Sequence, residues 1–205
     1  MDLLTEIFSH LCGQGRCFVI DGAALPVCQR CLGLYVGALA TLACLAASGA
    51  WRRGLPSRGI FAVNVAALLA AILGGLHVLD FGPLWRLACG MWTGQVATLW
   101  LIGGSAHLWQ TAHAARPGQR DSGHNPAPAW RRGEKVQALA VLAALTALAF
   151  CFDWAAPLGW TFWSALAVLG LAALAAAVAI GLGGLAWTLI AGLRQALKGC
   201  YVSRL

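Results

Sequence analysis

Four of the chain's eight cysteines fall close together, at Cys12, Cys17, Cys28 and Cys31, in the pattern C-x4-C-x10-C-x2-C with His10 just upstream. Two thiolates separated by two residues at a helix start can point the same way and close on one cation, and a second pair can complete a tetrahedron around zinc. The same spacing serves a redox-active pair or a structural disulfide, since spacing alone does not separate these uses of sulfur. A helix opening at Cys28, with Arg30 beside it, places negative sulfur at a positive helix end. Outside the cytoplasmic membrane thiols tend to be oxidised, which favours a disulfide. The first expectation is a zinc or other thiophilic metal site ligated by Cys12, Cys17, Cys28 and Cys31. In the redox reading Cys28 and Cys31 are the catalytic pair and Cys12 and Cys17 the exchanging pair, while Arg30 or Arg86 polarises the oxygen of a quinone.

The elements that must carry these groups follow from composition. The 205 residues are 60% hydrophobic and 10% charged, with mean hydropathy +0.74. Soluble domains carry about a quarter charged residues, so a water-soluble enzyme is excluded, and so is a disordered chain. The expected fold is all-α, an integral membrane bundle of about five transmembrane helices, because each crossing needs roughly 20 apolar residues. Apolar runs separate at 27–50, 60–79, 85–109, 136–152 and 160–193. In the last, Gly181, Gly183 and Gly184 predict a tilt or kink rather than a sixth crossing. The corresponding units are an extracytoplasmic Cys-rich segment at 1–26, a three-helix membrane core at 27–109 and a cytoplasmic loop at 110–135. Two further helices at 136–193 and a cytoplasmic tail at 194–205 complete the chain. No cleavable signal peptide is read at the start, where Asp2 and Glu6 replace a basic region.

The net charge of +7 sits in loops, where it orients a membrane protein instead of recruiting nucleic acid. Only Arg16, Arg30 and Arg86 of the fourteen Lys and Arg fall on the amino-terminal side of this five-span layout. The bias predicts an inner-membrane protein with its amino terminus outside and its carboxyl terminus in the cytoplasm. The tryptophans near span ends, such as Trp51, Trp85, Trp109, Trp130 and Trp160, fit an aromatic belt.

The same layout gathers the ionisable groups at the outer face. Helix two ends there with His77 and Asp80, helix three begins with Arg86 and Cys89, and helix four ends with Cys151 and Asp153. Ionisable groups near membrane depth face a cavity or pair, so Asp80 and Asp153 are the expected partners of Arg30 and Arg86. Arg30, His77, Asp80, Arg86 and Asp153 form the expected pocket beside the cysteines, as supports or as contacts to a small-molecule, lipid or thiol-protein substrate. An anionic headgroup on its arginines is a further reading. Other groups carry less: His107, His113 and His124 read as solvated, and Cys44, Cys151 and Cys200 as small buried or lipid-facing side chains.

Helices one and three share an echo, Gly33-Leu34-Tyr35-Val36-Gly37 and Gly90-Met91-Trp92-Thr93-Gly94. Small residues four apart let backbones approach in lipid, so a crossing there would bring Arg30, Cys31, Arg86 and Cys89 together. The run Leu25-Pro26-Val27-Cys28-Gln29-Arg30-Cys31-Leu32-Gly33-Leu34-Tyr35-Val36-Gly37 resembles a family of small bacterial multi-pass membrane proteins known as domain of unknown function 2085. Cys12, Cys28, Arg30, Cys31, Gly33, Tyr35 and Gly37 match its signature, and Asp80 with Arg86, Gly90 and Gly94 resembles a downstream element. Where the family carries His after its first cysteine this chain has Gly13, and it adds Cys17. The resemblance covers about the first hundred residues and implies no mechanism.

Overall fold

The computed structural model describes residues 6–8, 15–49, 58–75, 80–114 and 156–202. These are mostly helical. A two-stranded antiparallel ribbon, β1 (Cys17–Ile20) and β2 (Ala23–Cys28), leads into α1 (Gln29–Ser48). Then come α2 (Arg58–Gly75), α3 (Pro83–Ala114) and α4 (Gly159–Val202), the last entered through a 3-10 turn at Ala156–Leu158. By length and apolarity Gln29–Ala47 and Gly159–Arg194 suffice to cross a membrane, and Phe61–Gly74 is a shorter apolar helix. The expected fourth run, 136–152, lies outside the described residues.

The ribbon turns on Asp21 and Gly22, at φ 54° and 77°. Asp-Gly is the sequence that most readily takes two successive positive φ angles, and the resulting turn matches the twist of paired strands. Ile20 pairs with Ala23 and Val19 with Ala24, but an irregularity then shifts the register, and Cys17 faces Cys28. Pro26, inside β2, has no N–H to give to a ladder, which suits it to such an interruption. The ribbon is not an outlying appendage. Ile20, Leu25 and Val27 are buried in one core with Leu32, Leu87 and Trp163, closing one end of the bundle. Trp160 Nε1 donates to Ala24 O at 3.1 Å, which fixes the start of α4 against the ribbon.

The expected crossing of α1 and α3 is present. A Cβ on Gly33 would meet Leu87 O at 2.2 Å, and one on Gly37 would meet Met91 O at 2.1 Å. Reciprocally, a Cβ on Gly90 would lie 2.1 Å from Arg30 O and one on Gly94 2.0 Å from Leu34 O. The α3 partner lies 54 residues on from Gly33 and Gly37 and 60 on from Arg30 and Leu34, evenly about the 57 that separates the two halves of the echo, so the halves meet as near-equivalents. This is the close parallel contact that small-xxx-small spacing permits in lipid.

Gly181 and Gly184 seat α4 against Leu101 and Ser105 of α3, while Gly170 sits on the Tyr35 backbone of α1. The helix runs unbroken through these glycines as one element, and Gly181 and Gly184 serve close approach. Residue numbers rise together at these contacts, so α1, α3 and α4 all run away from the ribbon. Helix α2 runs back, because Arg30 at the start of α1 donates to the carbonyl of Gly74 at the end of α2, while Phe61 stacks on Trp100 with centroids 4.9 Å apart. Leu182, Leu189 and Leu193 on α4 are more than half exposed, as expected of a surface that meets lipid.

Candidate functional site

The site begins with the ribbon's register. Just past the Cys17 and Cys28 pair, Gln29 N–H donates to Arg16 O at 3.1 Å. Hydrogen-bonded and non-hydrogen-bonded pairs alternate along an antiparallel ladder, so Cys17 and Cys28 form a non-hydrogen-bonded pair. In such pairs the Cα atoms come within about 4.5 Å, inside the range a disulfide can bridge. Without the shift in register, Cys17 would face Pro26.

Cys28 is also the N-cap of α1, its Sγ accepting from Cys31 N–H at 3.5 Å. The sulfur thus lies where unpaired amides and the positive end of a helix converge. Cys28 is buried, whereas Cys17 and Cys31 are partly exposed. Across the ribbon Cys17 stands opposite Cys28, and Cys31 lends Cys28 an amide. Cys12 lies outside the described residues. Among the described residues no group of three or more His, Cys, Asp or Glu side chains stands ready to hold a metal.

Beside the sulfurs an ionic cluster ties three chain segments together. Arg86 Nε reaches both oxygens of Asp80, at 3.0 and 3.2 Å, and its Nη1 donates to Gln29 Oε1 at 3.0 Å. Arg16 Nη1 donates to Asp80 Oδ2 at 3.0 Å, and Gly82 N–H to Oδ1 at 3.3 Å. The Arg86 hydrogen bonds hold the Asp80 carboxyl down at about 2, against an ordinary 3.8, with the Gly82 amide and Arg16 adding to the effect and burial opposing it. The cluster joins the base of the ribbon, the first residue of α1 and the first turn of α3, so it holds Cys17 against Cys28.

The expected pairing of Asp80 with an arginine is present, through Arg86. Arg30 donates to the carbonyl of Gly74 near the end of α2, where a cation complements the negative helix end, and it lies close enough to the buried Cys89 to act on it electrostatically. His77 and Asp153, together with His10 and Cys151, lie outside the described residues. Sequence reasoning did not single out Gln29 or Arg16 as partners. The signal was Asp21-Gly22 between β-forming residues, which predicts a hairpin and so brings the residues on its two sides together.

Residues 12–100 match the family model of DUF2085, described as a predicted membrane protein. Over this segment the chain is similar to that family. It spans the ribbon, the thiol pair, the ionic cluster and both members of the glycine crossing. The match covers 89 of the 205 residues and is consistent with a membrane location. No curated protein matches the chain, and no solved structure does.

Proposed function

We propose that this protein is a membrane thiol–disulfide oxidoreductase whose redox pair is Cys17 and Cys28. The observation that carries the reading is their opposition across the ribbon with Cys28 capping α1. In the oxidised form a disulfide joins the two sulfurs. A thiolate of a dithiol protein attacks the partly exposed Cys17, and the Cys17–Cys28 bond breaks. Cys28 departs as thiolate, held by the Cys31 amide, and a better-stabilised leaving sulfur leaves faster. The second substrate thiol, once deprotonated, attacks its own sulfur in the mixed disulfide. The substrate leaves oxidised and Cys17 is freed. Re-forming the disulfide releases two electrons and two protons, which a quinone accepts to become quinol. Arg16, Gln29, Asp80 and Arg86 position the pair without reacting.

A second reading is a zinc or other thiophilic-metal centre on Cys12, Cys17, Cys28 and Cys31. Its support is that the family segment begins at Cys12 and so includes all four cysteines. Anaerobic purification in detergent, with bound metal and free thiols counted together, separates the two. The redox reading expects no metal, a Cys17–Cys28 bond in the oxidised protein, re-oxidation of the reduced protein by a soluble quinone, and its loss in Cys17→Ser. Stoichiometric metal with four reduced thiols supports the second reading and overturns the first.

The five-span inner-membrane arrangement, amino terminus outside and carboxyl terminus in the cytoplasm, belongs to the same proposal. Two observations support it. Helix α3 ends opposite the ribbon whereas α4 starts beside it, and the apolar run 136–152 lies between them in sequence. The Lys and Arg bias points the same way.

A further inference from the structure

At the end of the bundle opposite the ribbon, α1, α3 and α4 leave a cleft of about 790 Å³, lined by residues including Leu45, Ile102, Ala106, Trp109 and Ile180. Its lining is apolar except for Ser105 and Gln110. From Ile102 to Gln110 it follows α3 for roughly 12 Å, close to the depth of one hydrocarbon leaflet, about 15 Å. The volume lies in the range of about 300–1,000 Å³ that takes a small-molecule ligand. A polar solute has little to bind along such a wall, whereas an acyl chain fits it.

One end of the cleft leads to positive charge. Gly181 and Gly184 pack beside Leu101 and Ser105, so the continuing α4 brings Arg194 roughly 15 Å beyond Gly184, past the level of Gln110. Fourteen residues after Ile180, Arg194 lies within about 40° of it around the helix, on the side of the cleft. It is exposed. Lys198 and Arg204 follow in sequence.

We propose that this cleft is a binding site for an anionic phospholipid, one acyl chain lying between α1, α3 and α4 and the headgroup phosphate meeting Arg194. The forked donors of arginine suit a phosphate, and apolar wall and cation occur in the order in which a lipid presents tail and headgroup.

The test uses the full chain reconstituted in mixed vesicles of phosphatidylcholine and phosphatidylglycerol, extracted gently and weighed by native mass spectrometry. The protein is expected to retain phosphatidylglycerol in preference to phosphatidylcholine. Ala106→Phe, which fills the cleft, should cut retention of both lipids about tenfold. Arg194→Gln should keep a lipid but lower the preference about fivefold, the equivalent of about 1 kcal/mol for one arginine at an anionic surface. Equal retention of both lipids by the unaltered chain overturns the proposal. So does undiminished preference in Arg194→Gln, a substitution at an exposed position that decides the matter even if Ala106→Phe does not fold.

Discussion

Asp80 shows how a single carboxylate can tie the base of the ribbon to the start of α3. Its folded value of about 2 lies below the ordinary 3.8, so protonation is resisted in the folded state. The stabilisation is in full force above about pH 4 and is lost as pH falls through about 2. Thermal unfolding in detergent should therefore show a midpoint that drops across that window, and Asp80→Asn should flatten the drop while lowering the midpoint at neutral pH. A different expectation attaches to Thr98, which is fully buried, with a hydroxyl that finds no hydrogen-bond partner among the described residues. Thr98→Val removes an unsatisfied group at nearly constant volume, so it should leave stability unchanged or raise it by about 1 kcal/mol. A loss of more than that would show that the hydroxyl has a partner in the folded protein.

At the scale of elements, glycine has opposite meanings at different places on one helix. Gly94→Ala puts a methyl 2.0 Å from Leu34 O, which must part α1 from α3 and should cost about 1–3 kcal/mol. Nothing lies within 4 Å of a Cβ at Gly104, so Gly104→Ala should gain up to about 1 kcal/mol through helix propensity. Paired thermal midpoints check both. Gly22→Val strains the turn, where φ is 77°. Disulfide mapping should find less of the Cys17–Cys28 bond in that variant, with the helices intact by circular dichroism.

The described helices and the α1–α3 crossing were legible because apolar runs and paired glycines are local records of lipid and of close contact. The ribbon was harder to read. Ala23, Leu25 and Val27 are as apolar as the helix they precede, so period two merged into a run that reads as membrane span from residue 27. Arg30 capping Gly74 depends on where a distant helix happens to end, and nothing near Arg30 in sequence records that. Pairing Cys17 with Cys28 required the register shift, which an Asp-Gly signal alone does not supply.

Over the whole molecule, the proposed topology has its own test. A fluorescent-protein fusion at the carboxyl terminus should fluoresce, and a membrane-impermeant maleimide should label reduced Cys17 from the outer side of intact cells. A carboxyl terminus reached only from outside would invert the arrangement and set the thiols in a reducing compartment. One consequence reaches beyond any single contact. Among the described helices α1, α3 and α4 start at the ribbon and α2 finishes there, so their backbone dipoles reinforce more than they cancel. At about half an elementary charge per helix end, these four helices give that face roughly one positive charge from peptide groups, about half of which the proposed span at 136–152 would offset, before Arg16, Arg30 or Arg86 is counted. The built-in potential would draw anions toward the sulfurs and ease the passage of electrons onto an acceptor there, whatever the side chains around it become.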